Sequence, residues 1–166
     1  MRRLIIALCT CVLIAPAASV GAVTLDGVRV EAPGAKPGRV IGRLIIPRLG
    51  VNHKMYLGVS NAEFDLGVGK WPGTPRPGEA GNIVIGGHRT SGIRPFYNIE
   101  RLKRGDIITV VEGRTRARYK VTNRMVVKPT AMWVTKQSSS STITLFSCHP
   151  RGSTKQRYIV RATLIR

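Results

Sequence analysis

From Val40 onward, apolar side chains come in short runs rich in Val, Ile and Leu, and most runs are closed by Gly, Pro or Asn. No run past residue 40 keeps helical spacing for long. Such punctuation restricts the chain to many short strands joined by turns. The candidate strands are 40–46, 51–56, 82–86, 106–112, 115–121, 124–127, 142–147 and 157–165. Aromatic residues make up only 5% of the sequence, so branched aliphatics must fill the core, which favours strands. The expected fold class is all-β, a barrel or sandwich, with short helices at 61–68 and Pro95–Leu102, where Phe96, Ile99 and Leu102 share one side. A length of 166 residues leaves room for one such domain.

The first 23 residues read as a separate unit. Arg2 and Arg3 precede Leu4–Val23, which holds no charged residue. Twenty residues of helix span roughly 30 Å, the thickness of a bilayer core. The two Arg would stay on the cytoplasmic side and the remainder would face outward. A cleaved signal peptide is the competing reading, since Ala15, Ala17, Ala18 and Gly21 are small residues suited to a peptidase. Both readings export the domain. Residues 24–39, with Pro33, Gly34, Pro37 and Gly38, read as a Pro/Gly-rich linker, leaving 40–166 as the exported domain.

Formal charge is +19, from 27 basic and 8 acidic residues. A field of that sign concentrates anionic partners. Export argues against nucleic acid, and no aromatic stacking pattern supports it. The scattered acidic residues offer no oxygen cluster for calcium. In the hairpin turning at Gly113, Arg114, Arg116, Arg118 and Lys120 alternate with Thr115, Ala117, Tyr119 and Val121. Period two puts the four cations on one strand face, which is either simply solvated or a surface for anionic lipid or wall polymer.

Cys9 and Cys11 lie inside the apolar segment, so Cys148 is the one thiol of the exported domain. It is either a buried structural residue or a free reactive thiol. It ends the β-rich run Thr142–Ser147 and is followed by His149 and Pro150, where strand pairing stops. A thiol at a strand end is held by the scaffold yet open to a loop. Its thiolate is the nucleophile and needs a cation nearby. Arg157 is one candidate: antiparallel pairing of 142–147 with 158–165 would bring it close, and a guanidinium suits a developing oxyanion. His88, after Ile83–Val84–Ile85–Gly86–Gly87, is another strand-end residue and can move protons near neutral pH. His149 should point to the opposite face, in a supporting role. A Cys148/His149/His88 zinc site would have only three ligands and no paired-ligand spacing, so no metal or other cofactor is expected. His53 has no evident partner.

Taken together these residues resemble the sortase family. Its hallmark is a strand reading TLxTC, an Arg on the following strand and an upstream His. Here it stands as Thr144-Leu145-Phe146-Ser147-Cys148, then Arg157, with His88 sixty residues before the Cys. The run TLFSCHPRGSTKQRYIV is most similar to the actinobacterial class E group, and WPGTPRPGEAGNIVIGGHRTSGIRPFYNIERLKRGDIITV is similar to sortases around their His. The resemblance covers about residues 40–166. It implies an eight-stranded sortase-type β-barrel with short helices, and a thiol-peptidase-class transpeptidase anchored in the cell membrane. Its partners would be secreted proteins with an LPxTG- or LAxTG-like C-terminal sorting signal and an amine of the cell wall precursor or a pilin. Cys148 would be the nucleophile, His88 the acid/base, Arg157 the oxyanion stabiliser, and Thr144, Leu145 and Ser147 the substrate-binding positions. Two departures stand out. Ser147 replaces the usual Thr, and Lys70-Trp71 stands where relatives carry His and an aromatic.

Two other readings compete. An L,D-transpeptidase would need a His two residues before the Cys, where Phe146 stands. A non-enzymatic basic β-domain binding wall polymer or lipid would need Arg114–Lys120 and no Cys148.

Overall fold

The computed structural model describes residues 36–165, together with the backbone of two short strands, Val23–Leu25 and Val28–Val30. Those two pair antiparallel, so a small ribbon stands where the sequence reads as the end of the apolar segment and the start of the linker. Most of the membrane or signal segment, Cys9, Cys11 and residues 31–35 lie outside the described residues. Among the described residues, no helix is long and apolar enough to cross a membrane.

Eight strands form a closed barrel: β1 Val40–Ile46, β2 Val51–Leu57, β3 Val68–Lys70, β4 Gly81–Gly86, β5 Ile107–Glu112, β6 Thr115–Val127, β7 Ser141–His149 and β8 Gln156–Leu164. Their order around the barrel is β8-β6-β5-β1-β2-β3-β4-β7, closing on β8. Pairing is antiparallel except for β2 with β3 and β4 with β7. The all-β expectation holds, and six of the candidate strands match within a residue or two.

Three local expectations are corrected. The candidate strands 115–121 and 124–127 are one strand, β6. Thr122 is an extra residue there, since Asn123 faces Arg161 while Val121 faces Ala162, and its hydroxyl donates to the Arg161 carbonyl at 3.2 Å. The helix expected over 61–68 stops at Leu66, giving α1 Asn61–Leu66, and Val68–Lys70 is a strand that the sequence reading missed. At Gly67, where the helix stops, a Cβ would lie 2.3 Å from the Lys54 carbonyl oxygen. Pro95–Leu102 is mostly irregular, with one 3₁₀ turn at Ile99–Arg101. Its apolar side is nonetheless real, for Phe96, Ile99 and Leu102 are fully buried in the core.

Alternation along the strands fills the barrel. Ile108 and Val110 of β5, Ala117, Tyr119 and Val121 of β6, and Ile143 and Leu145 of β7 all belong to one buried cluster. β4 is buried along its whole length, which explains its unbroken apolar run. At Gly42, a Cβ would lie 1.8 Å from the Val111 carbonyl oxygen, so only glycine lets β1 approach β5 at its bulge.

Helix α1 positions two residues of the site, and one buried carboxylate holds it. Glu63 is 3% exposed and accepts from the Ser60 hydroxyl at 2.6 Å, the Ser60 amide at 2.7 Å and the Gly38 amide at 2.8 Å. The Ser60–Glu63 pair is a capping box, and Gly38 ties in the chain just before β1. Burial pushes the Glu63 carboxyl up, but the hydrogen bonds from Ser60, Gly38 and the helix backbone outweigh it and hold the group below its ordinary range. Its folded-state proton affinity is therefore lower than in the unfolded chain. The stabilisation is fully present above the ordinary carboxylate range, roughly pH 4, and is lost as pH falls through the folded value. Glu63→Gln is expected to lower stability at neutral pH and to flatten the acid limb of the stability curve, measured by urea denaturation between pH 3 and 7. Parallel wild-type and variant curves would contradict this assignment.

Candidate active site

Two pairings assemble the site. In the parallel pair β4/β7, Gly86 stands opposite Phe146. His88 and Cys148 each lie two residues further on, so both leave the same end of the barrel side by side. In the antiparallel pair β7/β8, Arg157 stands directly opposite Cys148. All three side chains line one groove of about 540 Å³, with Phe64 of α1, Phe146 and the Gly152–Thr154 loop among its other walls.

Each side chain is held differently. Cys148 is half-buried and is the free thiol among the described residues. The His88 side chain is 16% exposed, its Nε2 lies 3.1 Å from Asp65 Oδ1, and its ring meets Phe64 edge-on at 5.6 Å. The Nη1 of Arg157 donates to the carbonyls of Thr154 at 2.8 Å and Gln156 at 3.0 Å. Among the described residues its Nε and Nη2 make no hydrogen bond, which leaves donors for an oxyanion in the groove.

The other expected site residues divide. Ser147 lines the groove but is 2% exposed, and its hydroxyl donates to the Gly87 carbonyl at 2.7 Å. That bond ties the ends of β7 and β4 together next to the thiol. Thr144 and Leu145 do not line the groove. Leu145 is core, and the Thr144 hydroxyl, 1% exposed, donates to Asn82 Oδ1 at 2.9 Å. Both are buried. His149 lies outside the groove lining, packing on Tyr158 at 5.6 Å. His53 faces Leu44 across β1/β2, and burial and the Arg43 guanidinium lower its pKa. Of the two departures, Lys70 is buried and pairs with Glu112 at 2.6 Å, while Trp71 packs edge-on against Phe146 at 6.3 Å.

Several residues at the site escaped the sequence reading. Asp65 and Phe64 reach His88 from α1. Arg89, 4% exposed, donates Nη2 to Glu100 at 2.6 Å and Nη1 to His149 Nδ1 at 2.8 Å and the Cys148 carbonyl at 3.3 Å. Arg151 pairs with the other oxygen of Glu100. The one available signal was an Arg adjoining His88 in a turn, and this chain is crowded with Arg.

Gly86 lies behind two rings of the groove wall. A Cβ there would lie 2.3 Å from Phe146 Cζ and 2.6 Å from Phe64 Cζ. Gly86→Ala is expected to push both rings into the groove and to cost about 1–3 kcal/mol of stability. Thermal unfolding and reactivity of Cys148 with a bulky maleimide would read the two effects. An unchanged reaction rate would argue against the displacement.

The family model of the sortase domain matches residues 44–165. The chain belongs to the sortase family. Sortases are cysteine transpeptidases, which accords with a groove holding a thiol, an imidazole and a guanidinium. The chain is 26% identical over 127 residues to sortase D of Bacillus subtilis (strain 168), covering 74% of this chain and 63% of that protein. It therefore spans just under two thirds of that relative's length. Among solved structures it resembles a Clostridium perfringens sortase D5 transpeptidase, with 32% identity, a TM-score of 0.71, and 79% of this chain and 82% of that one covered. Sortase C-1 from Actinomyces oris is 30% identical with a TM-score of 0.71, covering 76% and 74%. The lid mutant of sortase A from Corynebacterium diphtheriae is 28% identical with a TM-score of 0.73, covering 81% and 74%. The L,D-transpeptidase reading is set aside by membership of this family.

Proposed function

We propose that this sortase is an extracytoplasmic transpeptidase, tethered by residues 4–23 through the linker 24–39, that joins secreted proteins to an amine. Its substrate would be an LPxTG/LAxTG-like C-terminal sorting signal, with LAxTG favoured by the class E resemblance of the TLFSCHPRGSTKQRYIV run. The acceptor would be an amine of a cell wall precursor or a pilin lysine. The observation that carries this reading is the convergence of Cys148, His88 and Arg157 on one groove.

In the proposed reaction, the Cys148 thiolate attacks the Thr carbonyl carbon and a C–S bond forms. The free Nε and Nη2 donors of Arg157 hydrogen-bond the resulting oxyanion. The peptide C–N bond then breaks, and His88 as imidazolium gives its proton to the departing amine. The thioester holds the acyl group until an acceptor amine attacks. His88 takes the amine proton, and the thiolate leaves and is restored. Asp65, 3.1 Å from His88 Nε2, would orient the ring.

The test is incubation of residues 33–166 with an LAxTG or LPxTG peptide and an amine, followed by mass spectrometry. The expected species are an acyl-enzyme thioester on Cys148 and a Thr–amine transfer product, with LAxTG outcompeting LPxTG. Absence of both species with either peptide would overturn the reading, and preference for LPxTG would overturn its class E part.

A further inference from the structure

Of the four cations singled out in the sequence, Arg116, Arg118 and Lys120 share the outer face of β6, and Arg114 stands in the turn just before it. Arg114, Arg116, Arg118 and Lys120 are exposed, while Ala117, Tyr119 and Val121 between them are core. Strand register extends this face across the sheet. Arg116 stands opposite Val111, Val111 opposite Arg43, and Arg43 opposite Lys54. These positions share one face because residues facing one another in a register point the same way. The patch thus crosses β6, β5, β1 and β2. At about 4.8 Å per strand and 3.4 Å per residue, it measures roughly 15 Å by 20 Å.

No carboxylate among the described residues pairs with any of these six cations. The nearest acids in sequence are engaged elsewhere: Glu112 with buried Lys70, Asp106 with Arg48 and the Lys103 amide, and Glu79 with the Arg76 amide. A cavity of about 400 Å³ opens beside Arg116 and Arg118, against the Pro77–Gly78 turn. Such a face is broad and notched rather than a single channel.

We propose that this face docks the domain on an anionic lipid surface. The inference rests on the proposed membrane tether of residues 4–23. Two observations favour lipid as the occupant. The linker joins the barrel at the rim of the face, for the Gly113 amide at the hairpin turn donates to Ile41, one residue into β1. Residues 24–39 are sixteen in number, so even fully extended they span no more than about 58 Å. A tether at residues 4–23 would keep this rim within that span of the headgroups, where basic side chains gain from the negative surface potential.

The test uses residues 33–166, a compact unit whose barrel and core draw on nothing before Val40. Sedimentation is measured with phosphatidylcholine vesicles and with vesicles containing about 30% phosphatidylglycerol, at about 50 mM and 500 mM salt. Binding is expected only to the anionic vesicles and only at low salt. Joint replacement of Arg114, Arg116, Arg118 and Lys120 by Gln is expected to weaken it at least about tenfold. Replacing Arg94, Arg101, Lys128 and Lys136 by Gln removes as many charges elsewhere and is expected to leave most of it. Circular dichroism checks that both variants fold. Equal binding to neutral vesicles, or equal loss in the two variants, would overturn the proposal. So would full displacement from vesicles by soluble poly(glycerol phosphate) at matched phosphate, which would assign the face to wall polymer. Peptide transfer in solution is expected to be unchanged in the four-site variant. For the unsubstituted domain, no binding to anionic vesicles with transfer intact defeats the docking surface alone, and absent transfer with binding intact defeats the enzymatic reading alone.

Discussion

Cys148→Ala is expected to abolish acyl-enzyme formation, and Arg157→Lys to slow transfer by about 10²–10³-fold while leaving the thioester detectable. The two variants separate nucleophile from stabiliser. Without sulfur there is no nucleophile to take up the acyl chain, so no residual route through the groove remains. Lysine keeps the charge of Arg157 but not its planar fork. Two Nη1 bonds, to Thr154 and Gln156, spend part of that fork on anchoring and leave Nε and Nη2 for the substrate. An ammonium cannot serve both sides in this way. Because the oxyanion exists only in the tetrahedral state, the loss should fall on kcat rather than KM. Stopped-time mass spectrometry with an LAxTG peptide would read both variants. A rise in KM with kcat unchanged would show that Arg157 binds the ground state instead.

Arg89→Ala is expected to destabilise the fold by about 3–5 kcal/mol, more than any change confined to the groove surface. Its guanidinium is almost fully buried, and it grips Glu100, His149 and the Cys148 carbonyl together. Truncation would leave the Cys148 carbonyl and one oxygen of Glu100 without this donor, although Arg151 still meets the other oxygen. Its Nε has no partner, so the pairing is already imperfect and its desolvation cost incompletely offset. The double variant Arg89→Met/Glu100→Gln should recover part of the loss, because it removes the carboxylate that Arg89 partly neutralises and refills its volume. Urea denaturation of the single and double variants tests this. Equal destabilisation by both would show that packing, not charge, dominates.

The sequence and the structure part company in an instructive way. Alternation and turn residues marked most strands, and adjacency in sequence made the β7/β8 hairpin legible, so Arg157 was expected beside Cys148 and stands opposite it. His88 could be recognised as a strand-end residue, but its approach to Cys148 depends on parallel pairing of β4 with β7. No local pattern encodes a partner sixty residues away, and only the motif resemblance supplied it. β3 escaped because three residues containing a glycine leave no period to read. The motif resemblance points to Thr144 and Leu145 as substrate positions, yet neither lines the groove: the strand alternation that exposes Cys148 sends Leu145 into the core, while Asn82 covers Thr144. Arg89 was hidden for the opposite reason, since composition makes an Arg in this chain look like surface.

The β4/β7 seam also sets when the thiol becomes dangerous. β7 and β8 are the last two strands of the barrel in chain order, and β4 must wait for them to complete its pairing. During synthesis the imidazole of His88 is therefore made long before its thiol partner, and neither can meet the other until the barrel shuts. Loop closure over so long a separation is slow. The proposed nucleophile would thus stay apart from its imidazole until β7 joins β4.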